Sequence, residues 1–133
     1  MSVPENTIPA RMTALSTQFQ ACRSAFIALG DENRQHILIT LLQNFGGMRV
    51  GRLAAVVNLS RPAVSRHLKI LMDAGIVTRF RVGTMNFYHV DANESRWAQI
   101  TELVETINTL VREIAANGDG CPLANRYKQE EAL

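Results

Sequence analysis

The spacing of Ala54, Asn58 and Val64 constrains the fold of this chain more than any other feature. Two short apolar-periodic runs flank it. Leu53, Ala54 and Val57 share one helical face over about 50–57, and Val64, Leu68, Leu71 and Met72 share one over about 60–74. Asn58 tolerates left-handed backbone better than most residues, so the chain can turn sharply there. Ala54, four residues earlier, is small enough for two helices to cross closely, and Val64, six residues later, fills the space between them. Ser60 suits the cap of the second helix, and Pro62 falls in its first turn, where a missing N–H costs little. This combination predicts a helix-turn-helix whose second helix runs Ser60–Ala74.

The rest of the chain supplies a frame. Met12, Leu15, Phe19, Cys22, Phe26 and Leu29 follow a 3-4 spacing and predict a first helix ended by Gly30. Asp31 can cap a second helix, with Ile37, Leu38, Leu41 and Leu42 facing inward. After Gly75 the period changes. Ile76–Val82 and Met85–Val90 are rich in β-branched and aromatic residues around Gly83-Thr84, which predicts a hairpin. A last helix is expected over about Ser95–Ala116, with a stripe of Trp97, Ile100, Val104, Ile107, Val111 and Ile114. The expected organisation is a loose arm over 1–11, one domain over 12–116 and a polar tail over 117–133. The fold class is mainly α with a small β-hairpin, in the order α-α-α-α-β-β-α.

Charge bears on function through its distribution. Between Arg49 and Val90 stand seven basic residues and one acid, Asp73, although the whole chain carries only +2. The remainder is therefore net acidic. A basic centre of this kind suits a polyanion, although a merely solvated basic face would show the same charge. With Val64, Leu68 and Leu71 inward, the second helix of the motif turns Arg61, Pro62, Ser65, Arg66 and Lys69 outward, and no acid occurs from Ser60 to Met72. Arg and Lys can reach guanine edges from a helix in the major groove. Ser60 and His67 complete the candidate contacts on this helix, His67 in either a packing or a DNA-contacting role. Arg79, Arg81 and Thr84 on the hairpin can follow the phosphate backbone or reach a minor groove.

Three segments, AFIALGDENRQHILITLL, LAAVVNLSRPAVSRHLKILMDAGIVTRF and RVGTMNFYHVD, resemble the ArsR/SmtB family of bacterial repressors over about residues 13–112. The resemblance implies a winged helix-turn-helix. It also implies a homodimer paired through its first and last helices, and repression at a double-stranded operator that an inducer relieves. Leu15, Phe19, Cys22, Phe26, Trp97, Ile100, Val104, Ile107 and Val111 are the expected dimerisation residues. Two 3-4 stripes suit such an interface, although packing within one chain would use them too.

The family's metal sites do not carry over. Its thiol-rich box lies in the first helix of the motif, where VGRLAAVV has no cysteine, and its other site needs histidine on the last helix, which has none. His36, His67 and His89 do not cluster in sequence, so neither a metal nor a cofactor is expected. Cys22 and Cys121 leave a thiol or redox switch open. However, the family's sensing pairs sit in its second and last helices, and a buried Cys22 with an incidental Cys121 is the plainer alternative.

Other classes have less support. No phosphate-cradling glycine loop, HExxH pair or Gly-x-Ser-x-Gly turn is present, and Asp31-Glu32 serve a helix start better than catalysis. An enzyme is therefore not expected. No apolar run approaches a membrane span of about 18 residues, and MSVPENTIPA has no apolar core behind a basic start, so a cytoplasmic protein is expected. The alternative to a DNA-binding regulator is a winged helix used to bind proteins.

Overall fold

The computed structural model describes residues 7–117 and 129–131. Five helices and one hairpin follow in order: α1 Ile8–Leu29, α2 Glu32–Gln43, α3 Val50–Val57, α4 Arg61–Asp73, β1 Val77–Val82, β2 Met85–Val90 and α5 Glu94–Ala116. This is the expected order. Helix α1 begins earlier than its apolar stripe suggests. Thr7 caps it by accepting from the Ala10 amide at 3.3 Å, and Pro9 falls in the first turn, where proline is tolerated. Residues 8–11 of the expected arm are therefore helical, while residues 1–6 lie outside the described residues. Of the tail, residues 118–128 and 132–133 lie outside them too, and 129–131 are helical.

Local chemistry sets the helix ends. Asp31 caps α2 by accepting from the Arg34 amide at 3.1 Å, and Asn93 caps α5 through Ser95. Asn58 ends α3 at φ 56°, ψ 48°, and its amide and that of Leu59 both bond to the Ala54 carbonyl. It is the only non-glycine with positive φ among the described residues. The left-handed turn predicted at this position is present. The β1–β2 pair is antiparallel with Val82 opposite Met85, leaving Gly83-Thr84 as a two-residue turn. Gly83 takes φ 61°, the first-position glycine of a type II′ turn.

The core lies where α2, α3 and α4 meet the base of the hairpin. Ile37, Leu41, Leu53, Val64, Leu68, Leu71 and Ile76 are wholly buried, and each contributes about 1.5–3 kcal/mol of apolar burial. Met48, between α2 and α3, exchanges two backbone hydrogen bonds with Tyr88 at 2.9 and 2.8 Å, which fastens the hairpin to the helices. The inward face of α2 differs from the expected one. Ile37, Thr40 and Leu41 are buried, but Leu42 is exposed, because it lies about 100° further round the helix than Leu41. Thr40 is tolerated there because its hydroxyl donates to the His36 carbonyl at 2.8 Å.

Helices α1 and α5 pack on each other beside this core, and Cys22, Leu103 and Leu110 are buried there. Arg96 of α5 reaches across to donate to the Ala21 carbonyl of α1 at 2.7 Å. Arg11 and Glu113 form a salt bridge of 2.7 Å between the same helices. Among the described residues, no helix is long and apolar enough to cross a membrane.

Candidate nucleic-acid interface

Helix α4 divides cleanly into two faces. Val64, Leu68 and Leu71 are buried, and Met72 is half-buried. Arg61, Pro62, Ser65, Arg66 and Lys69 are exposed. Ser60 fixes the start of the helix by accepting from the Ala63 amide at 3.2 Å, so its hydroxyl is already engaged as a cap. Among the described residues, no carboxylate lies within 4.0 Å of any cation on this face; the one ion pair joins α1 to α5. Asp73 ends the helix at the far side from Arg61. The exposed face is thus an unneutralised basic strip on a rigid helix.

His67 is positioned differently. It is half-buried, and its Nδ1 lies 3.3 Å from Nη1 of Arg34 on α2. The imidazole is engaged with the helix behind α4 through Nδ1.

The hairpin projects beside this strip. Arg79, Arg81 and Thr84 are exposed. Arg81 Nε donates to the Gly83 carbonyl at 3.0 Å, which holds the guanidinium near the tip. Phe80 stacks on Phe87 with ring centroids 5.3 Å apart and leans on His89, so the wing carries its own small apolar support. Gly47, at φ 107°, lets the α2–α3 connector pass under it: a Cβ there would stand 3.0 Å from the Phe80 ring.

Between the first turn of α3, the start of α4 and the wing lies a cleft of about 440 Å³. Arg49, Arg52 and Arg61 line it with Thr84, Asn86 and Tyr88. Arg49 and Arg52 belong to the basic run in the sequence, but the helical pattern of the motif gave no reason to single them out. Gly51 is half-exposed beneath them, and a Cβ on it would come within 2.8 Å of Arg61 Nη2. The missing side chain is what lets the Arg61 guanidinium lie over the first turn of α3.

The expected dimerisation residues separate into two groups. Phe19, Phe26, Val104 and Val111 are exposed, with Leu15 and Ile107 half-exposed. Cys22 is only 1% exposed and belongs to the seam between α1 and α5 of a single chain. Trp97 and Ile100 pack on the core, and the Trp97 indole donates to the Asp91 carbonyl at 3.0 Å. A stripe read from sequence shows an apolar face but not which neighbour covers it, and these three pack within the subunit. Cys121 lies outside the described residues. Among those residues, no group of three or more His, Cys, Asp or Glu side chains is placed to hold a metal.

Comparison with known proteins agrees with this geometry. Residues 31–79 match the model of the bacterial regulatory proteins of the arsR family. An uncharacterised HTH-type transcriptional regulator of Methanocaldococcus jannaschii is 34% identical over 90 residues, covering 68% of this chain and 98% of that protein. The transcriptional repressor SdpR of Bacillus subtilis is 32% identical over 91 residues, covering 68% and 90%. Among solved structures, reduced HlyU from Vibrio cholerae superposes with a TM-score of 0.52 at 28% identity, covering 68% of this chain and 90% of that one. A crystal structure of an ArsR family transcriptional regulator gives 0.58 at 20% identity, covering 73% and 93%, which shows the fold. These relatives are regulators rather than enzymes. A chain with an unneutralised basic helix, a basic wing and such relatives is a winged helix-turn-helix transcriptional regulator that binds DNA, and it belongs to the ArsR family of bacterial regulatory proteins.

Proposed function

We propose that the chain is a homodimeric repressor that lays α4 of each subunit in the major groove of a pseudo-palindromic operator and is released by an inducer. The observation that carries this reading is the exposed face of α4: Arg61, Ser65, Arg66 and Lys69 stand outward with no carboxylate beside them among the described residues. Arg66 reads base edges or a phosphate, Lys69 and Ser65 support it, and Arg79, Arg81 and Thr84 of the wing follow the backbone. A regulator acting on operator DNA in this way works in the cytoplasm. The name of the SdpR relative supports repression as the outcome.

Dimerisation rests on the outer faces of α1 and α5. Phe19 and Phe26 form an apolar groove on α1 with Ile27, and Val104, Val111 and Ile114 remain exposed along α5. Apolar surface of this extent on two adjacent helices favours burial against a second copy.

Footprinting on the DNA upstream of the chain's own gene tests the reading. Two protected half-sites about one helical turn apart are expected. Arg66→Ala is expected to weaken binding by about 1–3 kcal/mol with the fold intact. Phe26→Glu is expected to shift the sedimenting species from dimer to monomer. Protection of a single asymmetric half-site at all concentrations, or unchanged affinity for Arg66→Ala, overturns it. Failure to bind any DNA at low salt would favour a winged helix that binds proteins.

A further inference from the structure

We propose that the cavity between α1 and α5 is the inducer site, and that it takes a small aliphatic amine. Its role as an inducer site rests on the regulator reading above; amine binding does not. Thr17, Gln18, Ala21 and Cys22 of α1 face Gln99 and Glu102 of α5 around about 190 Å³. Sites for drug-sized ligands run to roughly 300–1,000 Å³, so this one suits a smaller molecule. Its polar lining is rich in acceptors. Gln18 Oε1 is the only buried side-chain polar atom without a hydrogen-bond partner among the described residues. A buried acceptor left unpaired is unfavourable, so the Gln18 amide gains by turning to a donor in the cavity. The Glu102 carboxylate has no cation within 4.0 Å among the described residues. The Thr17 hydroxyl donates to the Thr13 carbonyl at 3.1 Å and keeps its lone pairs. An ammonium brings three donors and the charge that Glu102 lacks, while a short alkyl chain covers Ala21 and the buried Cys22.

Arg96 ties this cavity to the DNA-reading helix. Its Nη1 donates to the Ala21 carbonyl at 2.7 Å and to Gln99 Oε1 at 3.3 Å, and its Nη2 donates to the Ser24 hydroxyl at 3.3 Å. Its Nε stands 3.4 Å from the place a Cβ on Gly75 would occupy. Gly75, at φ 74°, follows α4 and donates its amide to the Met72 carbonyl at 2.9 Å. Ala21 and Gln99, which line the cavity, thus hold the side chain that packs against the end of α4. An ammonium that takes Gln99 Oε1 competes with the longer of the two Nη1 bonds and shifts Arg96 against Gly75. The cavity is not part of the proposed dimer face. Val104 and Val111 stand about 160° and 180° round α5 from Glu102.

Two measurements on the full chain test this. Propylamine, butylamine and pentylamine, with butanol as the neutral control, are titrated at constant pH and ionic strength while the backbone amides of Ala21, Cys22 and Gln99 are followed by NMR. Affinity for the upstream DNA is then measured with and without the tightest-binding amine. The native protein is compared with Gln18→Leu, Glu102→Gln, Arg96→Gln and Glu105→Gln, the last a carboxylate control on α5 outside the cavity. Saturable shifts are expected with the amines and not with butanol. Glu102→Gln and Gln18→Leu should each weaken amine binding about tenfold or more, and Glu105→Gln should leave it unchanged. The amine should lower the DNA affinity of the native protein about fivefold or more, and Arg96→Gln should bind the amine but lose that response. No saturable shift with any amine, equal shifts with butanol, or unchanged amine binding in both Glu102→Gln and Gln18→Leu overturns the site. Saturable binding that leaves DNA affinity unchanged overturns the inducer role. If the native protein binds no DNA, the regulator reading fails by itself and the amine titration still decides the cavity.

Discussion

Arg34 Nη1 lies 3.3 Å from His67 Nδ1, and this contact joins the DNA-reading helix to the helix behind it. The same guanidinium donates through Nε to the Ala28 carbonyl at 2.8 Å and through Nη2 to the Ile27 carbonyl at 3.1 Å. One side chain on α2 therefore satisfies the end of α1 and steadies α4. Arginine cannot accept a hydrogen bond, so a hydrogen bond at this contact has the guanidinium as donor and an unprotonated Nδ1 as acceptor. Removing the fork leaves two helix-end carbonyls without these partners. Arg34→Ala is expected to cost about 1–3 kcal/mol, measured as a lower urea midpoint with an unchanged m-value. Arg34→Lys should recover only part of that loss, because an ammonium cannot reproduce a planar fork directed at three acceptors. Full recovery by lysine would show that charge alone matters at this position.

The contrast between Asn58 and Arg34 explains what was legible in the sequence. The turn at Asn58 is local: its φ of 56°, the cap at Ser60 and the small Ala54 all act within seven residues, so spacing predicts them. The grip of Arg34 on His67 spans 33 positions and leaves no periodic trace. The α1 stripe was legible as a stripe, but its neighbours were not. Cys22, Ala25 and Ala28 are buried inside the subunit while Phe19 and Phe26 stay exposed, and alanines give little hydrophobic signal of their own. In the same way the basic run announced a polyanion, but the convergence of Arg49 and Arg52 on one cleft needed the hairpin in place.

The turn itself supports a second prediction. Left-handed backbone costs a residue with a Cβ roughly 1–2 kcal/mol, and β-branched side chains suffer most. Asn58→Gly should therefore leave stability nearly unchanged, while Asn58→Val should lower it by about that amount. Thermal melts of the two variants side by side check this. Equal melting temperatures would mean that the turn relaxes out of its left-handed conformation.

Acid stability depends on Asp31. The Arg34 backbone amide bonds to its carboxylate and, with smaller help from nearby positive charge, holds its pKa below the ordinary 3.8 despite some opposing desolvation. A pKa depressed in the folded state adds stability above the unfolded value and loses it as pH falls through the folded one. The α2 cap is therefore intact at neutral pH and should weaken only below about pH 4. Asp31→Asn keeps a capping oxygen but cannot titrate, so its stability curve should be flatter than the native one in that range. Parallel curves for the two proteins would remove Asp31 from the acid response.

Cys22 gives the last prediction, and it bears on sensing. The thiol is 1% exposed in the seam between α1 and α5, where it packs as a small apolar group. A buried thiol reacts only when the seam opens, so a thiol reagent should label Cys22 in the native protein far more slowly than after denaturation. If oxidants alter DNA binding, the alteration should persist in Cys22→Ala and vanish in Cys121→Ser, because the seam shields Cys22 from the oxidant. Loss of the response in Cys22→Ala with its fold preserved would instead mean that α1 and α5 separate readily enough to expose the thiol, and the outer faces of those two helices would then have to move with it.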